Sequence, residues 1–432
     1  MRLLRGICRF VFGLLFVLSG FLKAIDPIGT SLKIKEYLGA FGMDFLDTLS
    51  VPGAILISTA EFVVGVAMLK GLRMNLFSKI SLGFISVFTV ITLFVFIYNP
   101  ISDCGCFGQA VRLSNGATFV KNLILFGMAL FVFFQRKNYV PIAKPKTEWY
   151  YLAAYTALIV GLQVYSLRHI PQIDFGLYKP GTDLVASQSA NQERVYETTF
   201  IYEKEGQQQE FDIDNLPDST WTYIDARTQL VGGAPEDSSA DLSFIDSNGN
   251  AVGDEILQQE GPQFFVSIYN AGKLHHRAME KIRQLADTLH SHNMTLYILS
   301  SSPVEETELL FEECMNMEMN LELLYADYKA VISFNRSNGG LTYVDNGVIV
   351  KKWARGDYPV GRLAAVLQQD PEVITAKAQI GERLFAEISL FVILSFIFII
   401  RFFSKISYRK YLNALVLGES DEDLEEDPES NS

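Results

Sequence analysis

Two cysteines separated by one glycine, Cys104-Gly105-Cys106, are the most chemically pointed residues of this 432-residue chain. Glycine permits the tight turn that so short a tether needs. A disulfide between the two sulfurs closes a small, strained ring that is readily reduced. The pattern therefore reads as a reversible dithiol rather than a staple. Two other readings of the pair stay open: inert packing at an interface, or two thiolates offered to Cu(I) or Zn. Metal is disfavoured by the absence of a nearby histidine. The second pointed residue is Glu61, which sits near the middle of a long apolar run. A carboxyl there is costly and normally faces a bundle interior or water. It either locks helix packing or serves proton movement or a lipid-soluble redox partner, with a membrane quinone as the candidate cofactor. Cys8 and Cys314 each stand alone; the first reads as apolar packing and the second as a buried helix residue.

Long apolar segments must position these groups. The chain is 49% hydrophobic, and that content is gathered into six runs: Ile7–Ile25, Val51–Leu69, Ile80–Tyr98, Ala117–Phe134, Trp149–Leu167 and Leu384–Ile400. Each approaches the ~20 residues that a helix needs to cross a bilayer. The first run also has the form of a signal peptide, with Arg2, Arg5 and Arg9 ahead of it, but Lys23, Asp26 and Pro27 stand where a small-residue cleavage site belongs.

Lysine and arginine set the orientation. One set of ends and loops carries Arg2, Arg5, Arg9, Lys70, Arg73, Lys79, Arg136, Lys137, Lys144, Lys146, Arg401, Lys405, Arg409 and Lys410. The opposite short loops carry only Lys23, Lys33, Lys35, Arg112 and Lys121. Both termini are expected in the cytoplasm, with the Cys104–Cys106 loop and residues 168–383 on the other side, where thiols oxidise. The net charge of −13 says little about this, because eight acidic residues fall between Glu419 and Glu429. Residues 411–432 read as a solvated acidic tail.

The first run contains Gly13, Phe16, Ser19, Gly20, Lys23, Asp26 and Pro27, small residues at helical spacing before a charged, proline-marked end. By physics alone this is a helix packed closely in a bundle, with Lys23 expected to snorkel to the interface. The pattern resembles the start of the DoxX and MauE-like membrane proteins, four-helix bundles associated with redox processes. The resemblance continues in Ala60-Glu61-Phe62-Val63-Val64-Gly65 and in Asp103-Cys104-Gly105-Cys106-Phe107-Gly108, and it covers residues 1–135. A fifth span, 149–167, follows.

Residues 168–261 are polar with short alternating runs, Glu197–Tyr202 and Trp221–Asp225 among them, and read as a small β-rich segment. From 262 to 375 strand and helix patterns alternate. Strands are expected at Gln263–Tyr269, Met294–Ser300 and Leu321–Tyr325, helices at Leu274–His290, Val304–Met317 and Val360–Gln369, and a hairpin turning at Asn346-Gly347. The hairpin Thr342–Val350 and the turn Asp246–Asn250 are similar to those of envelope thioredoxins of the TlpA and MauD kind. Where that family carries Cys-x-x-Cys, this chain has Asn270-Ala271-Gly272-Lys273, and where the family has its proline, the chain reads Asn338-Gly339-Gly340. Without a thiolate there is no exchange, so the domain is expected to bind rather than react. His275 and His276 near the vacant site read as exposed helix residues, and Met315, Met317 and Met319 as core residues.

The expected fold is thus a membrane all-α helical bundle, DoxX/MauE-like, plus an extracytoplasmic α/β thioredoxin-like domain and a C-terminal transmembrane helix at 384–400. The resemblance implies a component of envelope-protein maturation in a bacterial-type inner membrane. Cys104 and Cys106 would be its redox pair, Glu61 a proton acceptor, and an envelope client or thiol-redox protein its partner, with nucleic acid excluded. The rival reading is a non-catalytic scaffold whose outer domain assembles envelope partners. Transport through the bundle has little support, Glu61 being the lone deep charge foreseen in the first five spans.

Overall fold

The computed structural model describes residues 2–101, 103–111, 113–139, 144–187, 195–204, 207–212, 217, 220–232, 242–274, 276–316, 320–389, 391–393 and 395. The chain divides into two compact units, one of Met1–Gly176 with Ala378–Ser432 and the other of Leu177–Lys377.

Among the described residues of the first unit, five helices are long and apolar enough to cross a membrane. They are α1 (Arg2–Ile25), α3 (Ser50–Lys70, with the 3₁₀ turn Asp44–Leu49 ahead of it), α4 (Met74–Tyr98), α5 (Asn115–Phe134) and α6 (Pro145–Arg168). Between α1 and α3 runs the shorter α2 (Pro27–Ala40), and between α4 and α5 the short strand β1 (Cys106–Gln109). Its start follows from two residues. Pro27 occupies a first-turn position whose N–H would have no partner in any case, and the Asp26 carboxylate accepts from Gly29 N at 2.7 Å.

The small-residue pattern of α1 exists because α3 lies against it. A Cβ on Gly20 would stand 2.5 Å from Phe62 N, and one on Gly65 2.5 Å from Val17 N. The two backbones therefore touch, an approach that only small side chains permit. Phe12 and Phe16 stack with ring centroids 4.3 Å apart and join Met68, Phe77, Leu125 and Val132 in one buried cluster. On the other flank, Ala24 and Ile25 pack with Phe62, Tyr155 and Ile159. Leu56, Val90 and Ile97 point outward, an apolar surface suited to lipid. Of the sixth apolar run, the described residues 384–389, 391–393 and 395 are helical; the rest of the run and the acidic tail lie outside the described residues.

The second unit holds two sheets. The first is antiparallel, with order β3-β2-β4, from β2 (Val195–Lys204), β3 (Gln207–Asp212) and β4 (Thr222–Gly232). The second contains β5 (Pro262–Ile268), β6 (Leu296–Ser300), β7 (Leu321–Tyr325), β8 (Gly340–Asp345) and β9 (Val348–Trp353) in the order β7-β6-β5-β8-β9. β5, β6 and β7 are parallel, while β8 and β9 run antiparallel. Parallel neighbours need crossovers, supplied by α8 (His276–Ser291) and α9 (Val304–Asn316). Shorter helices α7 (Gly253–Leu257), α10 (Tyr328–Phe334) and α11 (Leu363–Leu367) complete the unit.

β5 is central and buried on both faces. Phe264, Val266 and Ile268 meet Ile282, Leu285 and Phe311 on one side, and Phe265 meets Leu257, Val331 and Phe334 on the other. Both sheet edges are covered, as isolated edges require: Ile245 pairs with Tyr325 of β7, and Gly181 N donates to Ile349 O of β9 at 2.7 Å. The Asp246 turn preceding β5 is held by its own carboxylate, which accepts from the backbone N–H groups of Asn248 and Asn250, each at 2.8 Å. The element order departs from expectation at α10, seven residues between β7 and β8 that the sequence reading did not separate from loop.

Candidate functional site

The loop joining α4 to α5 carries Cys104 and Cys106. Its ends are tied by Asn115, whose Nδ2 donates to Asn99 Oδ1 at 2.6 Å and to Ile101 O at 2.8 Å. Gly105 and Gly108 take φ of +60° and +62°, conformations open to glycine at little cost. Gly108 N closes the turn on Gly105 O at 2.9 Å. The turn delivers what the sequence asks of it, with the two sulfurs 3.1 Å apart.

Three anchors fix this turn to the bundle. Tyr37 of α2 presents its hydroxyl 3.0 Å from both the carbonyl oxygen and the sulfur of Cys104. Lys33 pairs with Asp103 and, at 2.9 Å, with Glu36. Burial opposes the charge on Lys33, but the two carboxylates outweigh it and hold the ammonium above its ordinary range. The third anchor is Ser19 of α1, whose Oγ stands 2.6 Å from Cys106 O and 2.6 Å from Glu61 Oε2.

Glu61 is itself 1% exposed and does not stand alone. Lys23 Nζ donates to both of its carboxylate oxygens at 2.7 Å and to Ser19 Oγ at 3.0 Å. The expectation that Lys23 snorkels to the interface is therefore corrected. A counter-charge within 2.7 Å, at a side chain only 9% exposed, replaces the water it would otherwise seek. Glu61 is equally not the lone deep charge of these spans, since Lys23 accompanies it.

The sulfurs are unequal. Cys106 receives a hydrogen bond from the Cys104 thiol and faces the charges of Lys121 and Lys23, which together outweigh burial and lower its pKa to about 6. Cys104, donor in that bond and buried, is pushed well above the ordinary thiol range. One proton thus stays on Cys104 while Cys106 carries the thiolate, the nucleophilic form. Lys121 also lies 4.6 Å above the Phe107 ring beside the pair.

Cys104, Gly105 and Cys106 line a cavity of about 280 Å³ with Lys23 of α1 and residues of α2, α3 and α4. A second, of about 30 Å³, lies between Ser19, Cys106, Lys121 and Asn122, room for a water molecule.

The structure therefore brings Cys104, Cys106 and Glu61 into one hydrogen-bonded group. The sequence reading missed Ser19 and Lys23 as members, although their spacing of four put both on one face of α1. Nothing in the sequence pointed to Tyr37. Cys8 belongs to a different buried cluster, with Phe12 and Met68. No group of three or more His, Cys, Asp or Glu that could hold a metal occurs among the described residues.

Residues 1–135 match the family model described as Methylamine utilisation protein MauE. The MauE match takes in α1 to α5, the cysteine turn and all of its anchors. Together with the five apolar helices it makes the chain a multi-pass membrane protein with a MauE-like bundle. Residues 196–232 match a family described as a domain of unknown function (DUF8463), a stretch that spans β2, β3 and β4. No curated protein matches the chain.

In the second unit, the turn after β5 is closed by amides. Asn338 donates through Nδ2 to Asn270 O at 2.8 Å and accepts at Oδ1 from Asn270 N at 3.1 Å, while Ala271 N donates to Ser302 Oγ at 2.9 Å. His276 is exposed; His275, Met317, Met319 and the side chain of Cys314 lie outside the described residues.

Proposed function

We propose that the protein is a thiol–disulfide component in the maturation of envelope proteins, of the methylamine-utilisation type that the MauE description names. The observation that carries this reading is the pair itself. Two sulfurs lie 3.1 Å apart, one a depressed thiol and the other its hydrogen-bond donor, on a turn whose Cys106 carbonyl oxygen is joined through Ser19 to a buried Lys23–Glu61 ion pair. An inert packing pair has no use for a polar network whose burial costs several kcal/mol of desolvation. A client thiolate attacks the Cys104–Cys106 disulfide at Cys106, Cys104 leaves and takes a proton, and the client's second thiolate resolves the mixed disulfide, so that the client gains a disulfide and the pair returns as a dithiol.

The lysine and arginine asymmetry supports an inner-membrane orientation with the dithiol outside and both termini in the cytoplasm. The five-stranded domain supports a thioredoxin-like reading through its order β7-β6-β5-β8-β9, its parallel β5-α8-β6 crossover and its closing hairpin. Where such a domain would carry its cysteines, Asn270 and Asn338 bond to each other. Its role in this reading is to bind the client, and the single chain keeps the client near the dithiol at high effective concentration.

The test is covalent trapping. In a Cys8→Ser, Cys314→Ser background, Cys104→Ser should accumulate a mixed disulfide through Cys106 that a reductant releases. Mass-tagged maleimide should shift the parent by two tags after mild reduction. If both thiols stay reduced in cells, or Cys104→Ser, Cys106→Ser keeps full function, the scaffold reading replaces this one.

A further inference from the structure

Exchange with a protein disulfide needs an exposed sulfur, not a chamber. Yet the dithiol forms one wall of the 280 Å³ cavity, whose remaining lining is nearly all hydrocarbon: Ile34, Leu38 and Phe41 from α2 and its end, Ile57 from α3, Phe88 and Ile91 from α4. Its size lies just below that of ligand pockets, roughly 300–1,000 Å³, room for one small ring. Phe41 is also exposed and packs 5.0 Å from the Phe94 ring of α4, so the chamber's lining reaches the surface of the bundle. The polar side chains it does offer are few: Tyr37, which donates to the Cys104 sulfur, and Lys23, Thr30, Lys33 and Thr92.

We propose that this cavity binds the ring of a lipid-soluble quinone, which takes the two electrons released when Cys104 and Cys106 join. The inference rests on the reading of the pair as redox-active and supplies the oxidant that reading lacks. Glu61, the residue from which a quinone was expected, is not in the lining; Lys23, its ion-pair partner, is.

The chemistry balances as follows. Cys106 enters as thiolate and Cys104 as thiol. The Cys104 S–H bond breaks, an S–S bond forms, and two electrons pass to the ring. One quinone oxygen takes the Cys104 proton and the other a proton from water, replacing the one Cys106 had already released. The quinol then returns to the lipid, and the disulfide is ready to oxidise a client dithiol.

The experiment uses the full chain in lipid nanodiscs, carrying Cys8→Ser and Cys314→Ser, reduced and kept free of oxygen. One arm receives decylubiquinone and the other water-soluble hydroxyethyl disulfide; free thiols and quinol are counted. Decylubiquinone should consume two thiols per quinol formed, with saturable kinetics. Leu38→Trp and Ile91→Trp, which fill the chamber from different helices, should slow that arm about tenfold or more, while hydroxyethyl disulfide still oxidises the pair. A silent quinone arm beside an active disulfide arm overturns the quinone site and leaves the exchange reading standing. Silence in both arms removes the exchange reading and this inference with it. Quinone oxidation at full rate in both tryptophan variants also overturns the site. Should either variant fail to fold, an azidoquinone photolabel on the unsubstituted cavity decides: label on α2 or α4 supports the site, and label confined elsewhere overturns it.

Discussion

Ser19 Oγ stands 2.6 Å from the carbonyl oxygen of Cys106 and 2.6 Å from the carboxylate of Glu61, so one hydroxyl on α1 joins the dithiol turn to the buried charge of α3. Ser19→Ala removes that joint. A buried carbonyl and a carboxylate each lose a partner, at a cost of roughly 1–3 kcal/mol. Thermal unfolding in detergent should show the loss, and alkylation of Cys106 should change rate because the turn is no longer pinned. An unaltered alkylation rate would mean that Ser19 does not position the sulfur.

Cys106 is the more acidic sulfur, with a pKa of about 6, so its thiolate forms as pH rises through that value. The rate of iodoacetamide labelling should therefore rise with a midpoint near pH 6, well below the ordinary thiol range of about 8.5. Cys104→Ala removes the hydrogen bond that contributes most to the depression, and the midpoint should move upward. Cys106→Ala leaves the buried Cys104, which should label slowly until strongly alkaline pH. A midpoint unaffected by Cys104→Ala would contradict the assignment of donor and thiolate.

Glu61 and Lys23 stabilise each other against burial. Glu61→Gln leaves the Lys23 charge without a counter-charge, a change of the kind that costs about 3–5 kcal/mol. The double variant Lys23→Met, Glu61→Leu should be more stable than either Lys23→Met or Glu61→Leu alone, since it removes both charges. Thermal unfolding of the three proteins in one detergent is the measurement. Additive losses would show that the pair is not coupled.

Gly20 and Gly65 let α1 and α3 touch. In Gly20→Leu the new Cβ falls 2.5 Å from Phe62 N, against backbone that cannot give way, so the helices must separate. Overpacking of this sort typically costs about 1–3 kcal/mol, and separation also pulls Lys23 from Glu61. The expected result is lower expression and a fall in the fraction of Cys106 that labels near pH 6. Normal labelling in the folded variant would detach the dithiol from the helix seam.

Orientation has its own test. Reporter fusions near residues 110 and 250 should be active on the far side of the membrane, and those near 75, 140 and 415 in the cytoplasm. A cytoplasmic reporter at 250 would overturn the placement of the dithiol in an oxidising compartment, and with it the proposed chemistry.

The first five apolar helices, the adjacency of the two cysteine sulfurs and a carboxyl within an apolar helix were legible in the sequence because each is a local property. Apolar run length decides whether a helix can cross a bilayer, and Cys104-Gly105-Cys106 places its sulfurs together through one flexible residue. The alternating pattern of residues 262–353 likewise carried the five strands, since burial on both faces of β5 demands apolar residues on each, Phe264, Val266 and Ile268 on one and Phe265 on the other. What surrounds the chemistry was not local. Lys23 looked like an interfacial lysine until α3 brought Glu61 within 2.7 Å, and Tyr37 had no motif because α2 reaches Cys104 only by folding back over the α4–α5 turn. The cavity belongs to no segment, being space that α1, α2, α3, α4 and the cysteine turn leave between them. Composition fixes which segments enter lipid; which faces of those segments meet is decided by close packing among helices that are far apart in the chain.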